Sequence, residues 1–208
     1  MEQNTGLQSL LQHPRIYSAF QRLAGGSSAK HWLVENQWRI EPGMTVVDIG
    51  CGPGNMRADL PADIEYYGFD PNPDYIASAK NQHNGTFVAG VMQDFLEEYG
   101  GTLAGKVDVV ICCCVLHHLT IAQIEDVFTG SLQLLKSNGR YAGIEPTLLA
   151  HQGLLSKWVM SMDRGCNILH DFNWREILAS SFPECEVRVL THLLRIPYTH
   201  VTLTGWKT

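Results

Sequence analysis

Charge is scarce in this chain, and what there is leans acidic. Only 17% of the 208 residues are charged, with 21 Asp and Glu against 15 Lys and Arg. The resulting net charge of -6 argues against a nucleic-acid backbone as main partner, because gripping phosphates needs a basic face. No run of about 18 apolar residues occurs, so no membrane span is expected. The opening residues MEQNTGLQSLLQHPR lack a basic start followed by an apolar stretch, so no secretory leader is expected. Repeats, low-complexity tracts and long Gly/Ser/Pro linkers are also missing, which leaves a single domain over 1–208 as the expectation. A hydrophobic content of 45% suffices for one substantial core.

A spaced disulfide framework is lacking too. Of the six cysteines, three are adjacent in the apolar stretch ICCCVLHHL, residues 111–119. Free thiols in a reducing cytoplasm are the expectation. Cysteine and histidine are zinc's preferred ligands, but strand alternation would send Cys112 and Cys114 to one face and Cys113 to the other. Three neighbours so arranged do not enclose a tetrahedral ion, and no metal site is expected. They read instead as small hydrophobes packed beneath a site.

Helices are expected over 7–24 and 28–39, and a turn at Glu41-Pro42-Gly43. Strands follow at 45–49, 65–69, 86–89, 106–112 and 140–145. Between them a short helix is expected from about 55 to 61, another from Asn72 to about 81, and a third from Thr120 to about 136. Asn72 is placed to cap its helix with Pro73 in the first turn, and Thr120 with Gln123 reads as a capping box. Helices near 152–162 and 174–181, the latter capped by Asn173 with Glu176, precede two β-rich runs at 185–190 and 198–204 that suit a hairpin. Alternation of strand and helix from 45 to 145 means a parallel sheet covered on both faces, and a ligand then sits beyond the C-terminal strand tips.

Those tips carry the informative residues. The first strand ends in VDIGCGPG, where Gly50, Gly52 and Gly54 allow a sharp turn and close approach of a ligand. This is not the dinucleotide G-x-G-x-x-G, which counts against a nicotinamide oxidoreductase. The second strand ends at Asp70, 22 residues after Asp48, where a carboxylate can accept from both hydroxyls of a ribose.

VVDIGCGPGN (46–55), YYGFDPNPDYIASAK (66–80), VDVVICCCVLHHL (107–119) and LLKSNGRYAGIEP (134–146) resemble, in order and spacing, the signature segments of class I S-adenosylmethionine-dependent methyltransferases. The resemblance is strongest to the small-molecule branch that includes ubiquinone and menaquinone biosynthesis enzymes. It implies an α/β, Rossmann-like, doubly wound and mostly parallel seven-stranded sheet with a C-terminal antiparallel hairpin and helices on both faces. It also implies a helical lid over 1–40, a cofactor core over 41–146 and a substrate-side insertion with the hairpin over 147–208.

On this resemblance S-adenosylmethionine is the cofactor. Asp48 and the loop Gly50, Cys51, Gly52 and Gly54 would hold its methionine portion, and Asp70 its ribose, with Pro71 and Asn72 near the adenine. The backbone of Cys112 or Cys113 would touch the amino-acid part. Many relatives carry an acid directly after Gly90. Here Val91 stands there, leaving Gln93, Asp94 or the backbone at Met92 for the adenine amine. Methyl transfer to an O, N or C atom of a small organic acceptor needs alignment more than acid–base help. The candidate bases, if one is needed, are His117, His118 and Glu145. Tyr17 and Arg164 are candidate substrate contacts. A binding protein without turnover is the other reading.

Overall fold

The computed structural model describes residues 26–160 and 168–208. Helix α1 (Gly26–Trp32) runs into a π-helical segment, Leu33–Trp38. Strands β1 (Thr45–Ile49), β2 (Glu65–Asp70), β3 (Thr86–Ala89), β4 (Val107–Cys113) and β5 (Leu135–Pro146) alternate with helices α2 (Pro73–Gln82), α3 (Met92–Leu103) and α4 (Ile121–Leu134). Helices α5 (Leu154–Met160) and α6 (Asp171–Ser181) precede β6 (Glu184–Leu190) and β7 (His200–Trp206).

The seven strands form one sheet in the order β3-β2-β1-β4-β5-β7-β6. All pairings up to β5 are parallel, and β7 runs antiparallel to both β5 and β6. The expected hairpin is therefore present, and its second strand is wedged against β5. The strand order reverses between β1 and β4, so the switch point, where a doubly wound sheet opens a crevice, lies at their C-terminal tips.

Alternation along the strands splits the core in two. Val47, Ile49, Val110, Cys112 and Tyr141 point to the face covered by α3, α4 and α6, through Phe95, Phe128 and Trp174. Val46, Val109, Ile111 and Ile144 point to the face covered by the π segment and α2, through Trp38 and Ile76. Arg140 on β5 donates to the carbonyls of Trp38 and Arg39, placing a cation on the open carbonyl end of the N-terminal helical segment.

The cap expectations at α2 and α4 hold. Asn72 Oδ1 accepts from the amides of Asp74 and Tyr75, and Thr120 with Gln123 forms a reciprocal box. Others do not. Residues 55–61 form only a single 3₁₀ turn, Arg57–Asp59. The Arg57 guanidinium explains why: it donates to the carbonyls of Pro61, Ala62 and Asn84, which holds this stretch as a stapled loop. Helix α6 starts at Asp171 behind an N-cap at His170, so Asn173 lies inside it. Helix α3 was not expected at all. The expected helix over 7–24, Tyr17 and Arg164 lie outside the described residues.

Candidate functional site

At the tips of β1, β2 and β4 the sequence-predicted residues converge. Gly50 has φ +66, and a Cβ there would collide with Val115 Cγ2, so the loop is pressed against the turn that follows β4. Gly52 has φ +54, and an added Cβ would meet nothing within 4 Å. One glycine is demanded by the protein itself, while the other leaves open room over the strand tips. Gly50→Ala therefore should lower folding stability by about 2–4 kcal/mol, from overpacking plus left-handed backbone strain. Gly52→Ala should cost only about 1–2 kcal/mol from the backbone alone, yet obstruct a ligand lying on the loop. Denaturant unfolding beside a binding titration checks the pair; equal stability losses would mean the two glycines do the same job.

Asp70 stitches two of these tips together. Its Oδ2 accepts from the Gly52 amide at 3.0 Å and its Oδ1 from the Asn72 amide at 2.8 Å. A carboxylate has about four acceptor positions, so each oxygen keeps one for a ligand hydroxyl. The side chain of Asn72 is committed to the helix cap, and Pro71 is exposed beside it.

Asp48 lies under the loop, 2% exposed, and Tyr66 Oη donates to its Oδ2 at 2.6 Å. Burial, the largest influence, pushes its carboxyl up to about 7, against the lowering pull of the Tyr66 hydrogen bond and the Lys30 charge. The folded protein thus binds a proton that the unfolded chain, with an ordinary value near 3.8, gives up. The contribution is full below about pH 4 and is lost as pH rises to about 7, to a limit of about 4 kcal/mol. Asp48→Asn should flatten that part of the stability–pH curve, read from unfolding midpoints across the interval. An unchanged slope would rule Asp48 out as its source. Tyr66 went unread in the sequence; the signal was Gly68 beside Asp48 in the sheet register, a neighbour with no side chain to block a tyrosine reaching across.

On β4, Cys112 is fully buried and its thiol is pushed well up by burial, while Cys113 is half-buried. Cys114 departs from expectation. The strand ends before it, its φ is +57 and it is exposed, so it is not packed beneath the site. Among the described residues, no group of three or more histidine, cysteine or acidic side chains stands close enough to hold a metal ion.

Glu145 is the organiser of the β4 exit. It has no exposed surface, and its Oε1 accepts from the amides of Val115 and Leu116 at 2.9 and 2.8 Å. Its Oε2 accepts from the His117 amide at 3.3 Å and lies 2.6 Å from His117 Nδ1. With the carboxylate already accepting from three amides, Nδ1 is the donor of this pair. His117 is 3% exposed, and its ring lies tilted against that of His118, centroids 4.1 Å apart. His118 is exposed at the mouth. The three candidate bases thus divide: Glu145 and His117 lie inside the turn, and only His118 faces solvent.

At the third tip, Gly90 donates to the Asp70 carbonyl and Asp94 Oδ2 accepts from the Val91 amide at 2.9 Å. Gln93 points away along α3 to Glu97.

These features fit an adenosyl cofactor: room over Gly52, acceptor capacity on Asp70 and backbone amides at the strand exits. Residues 47–141 match a family described as a methyltransferase domain. Over that segment, just under half of the chain, the protein carries a methyltransferase domain with the class I fold. S-adenosylmethionine is the cofactor that this domain implies. The chain is also 31% identical over 140 residues to an uncharacterised methyltransferase of Synechocystis sp. strain PCC 6803, covering 64% of each. It is 33% identical over 78 residues to the magnesium-protoporphyrin O-methyltransferase of the same organism, covering 37% of this chain and 34% of that one. The chain thus spans under two thirds of the length of these curated relatives. The fold of the methyltransferase domain recurs in geranyl diphosphate methyltransferase in complex with S-adenosylmethionine, with a TM-score of 0.69, 18% identity and coverage of 97% and 95%. No helix among the described residues is long and apolar enough to cross a membrane.

Proposed function

We propose that the protein transfers the methyl group of S-adenosylmethionine to an O, N or C nucleophile of a small, largely apolar organic acceptor. The observation that carries the reading is Asp70, held by the Gly52 and Asn72 amides at the switch point with an acceptor position left on each oxygen. Asp48 and the glycine loop take the methionine end. The exposed apolar side chains Leu154, Leu155 and Trp158 on α5, the helix that follows the β5 exit, support an apolar acceptor. The substrates in the relatives' names, a porphyrin and a prenyl diphosphate, point the same way.

When bound, the cofactor would supply an electrophilic methyl group on a positively charged sulfur. This chain's part is alignment and exclusion of water. Val115 packs on the glycine loop, while Glu145 and His117 fix the turn that carries His118. Where the acceptor atom bears a proton, His118 is the exposed group placed to receive it. The fully buried Glu145 acts through the turn and not on the acceptor. The expected compartment is the cytoplasm, in keeping with the unbridged Cys51, Cys112, Cys113 and Cys185.

Transfer of labelled methyl, screened over prenyl alcohols and diphosphates, quinols and porphyrin carboxylates, tests the reading. Product is expected from one of these apolar classes and none from peptide or RNA. A protein that ignores S-adenosylmethionine at millimolar excess would overturn it.

A further inference from the structure

Asp48 is an odd residue to find beneath a cofactor loop. It sits 2% exposed on the penultimate position of β1, and among the described residues Tyr66 Oη, at 2.6 Å, is its one hydrogen-bond donor. Every element around it brings an ionisable group. Strand β2 brings Tyr66 and, at its tip, Asp70; the glycine loop brings Cys51; β4 brings Cys112; and α1 brings Lys30, the single cation of the set. A second negative charge beside Asp70, supported by one hydroxyl and a single cation, is costly to bury.

We propose that Asp48 waits in the free protein as a carboxylic acid and becomes a carboxylate when the cofactor binds, so that each binding event releases a proton. The inference rests on the cofactor reading above. The step balances simply: the Asp48 O–H bond breaks, the proton passes to the buffer, and Tyr66 goes on donating to Oδ2. The reason is electrostatic. S-adenosylmethionine brings a sulfonium and an α-ammonium to the space over the glycine loop, and a positive charge near a buried acid favours its ionised form. Burial, which raises the same carboxyl in the free protein, supports this division of states. Product lacks the sulfonium charge after transfer, so it holds the carboxylate less firmly, and reprotonation of Asp48 favours its departure.

Calorimetric titration of S-adenosylmethionine in buffers of different ionisation enthalpy counts the protons released. Near pH 6 the count should approach one per cofactor, and near pH 8 it should fall toward zero. Asp48→Asn should abolish the buffer dependence at both values. Tyr66→Phe, which removes the donor that favours the carboxylate, should move the proton release to higher pH, and it keeps the test open if the Asn variant does not fold. Binding near pH 6 with no buffer dependence overturns this inference alone, as does a full proton count retained by Asp48→Asn. Absence of any binding overturns it together with the cofactor reading.

Discussion

Replacing Asp70 by alanine will weaken binding of S-adenosylmethionine by about a hundredfold or more, measured by calorimetry. Two charge-assisted hydrogen bonds to a ribose are lost, each contributing about 1.5–3 kcal/mol, and about 1.4 kcal/mol corresponds to a tenfold change. A further loss comes from the protein side. The same oxygens fix the Gly52 and Asn72 amides, so without them the glycine loop and the start of α2 are no longer tied to each other. Asp70→Asn separates the two contributions. One amide oxygen remains to accept, so affinity should recover partway toward wild type. A dissociation constant unchanged in the alanine variant would show that the sugar does not sit there.

Glu145→Ala should be the most destabilising single change at the site. The carboxylate is wholly buried and receives three backbone amides and a histidine ring. Truncation strands those donors away from water, at about 1–3 kcal/mol each before the turn relaxes, so a net loss of about 3–5 kcal/mol is expected from denaturant unfolding. Glu145→Gln keeps the shape but turns one acceptor into a donor. It should retain the fold, lose about 1–3 kcal/mol and lower methyl-transfer turnover more than cofactor affinity. Turnover like wild type in the Gln variant would mean that the geometry of the β4 exit does not matter to transfer.

The parts of the site legible in the sequence were those set by local chemistry. VDIGCGPG announces a strand giving way to a loop because its apolar run stops at three alternate glycines, and Asn72 followed by Pro73 announces a helix start. What escaped reading depends on register. Glu145 and His117 stand 28 residues apart and meet only because β4 pairs with β5 so that Cys113 faces Ile144. Asp48 and Tyr66 meet across a gap left by Gly68. Strand β5 begins at Leu135 and not at Arg140, because Asn138 at φ +63 and a shifted pairing with β4 let the chain re-enter the sheet after what reads as a helix end. Helix α3 was available in principle: Met92, Phe95, Tyr99 and Leu103 recur at helical spacing, but Gly100-Gly101 near its end broke the pattern. The exposed Cys114 was misplaced because strand alternation was carried one residue past the strand.

The position of β7 has a consequence for how the chain comes to be made. It is the last described strand in sequence, yet it lies between β5 and β6 and covers the flank of β5 along Arg140–Pro146. During synthesis everything before residue 200 emerges first, so β5 waits with an open hydrogen-bonding flank while the ribosome finishes. A nascent chain stalled short of β7 would carry the entire adenosyl crevice and still offer a sticky sheet margin to its neighbours, a natural client for chaperones.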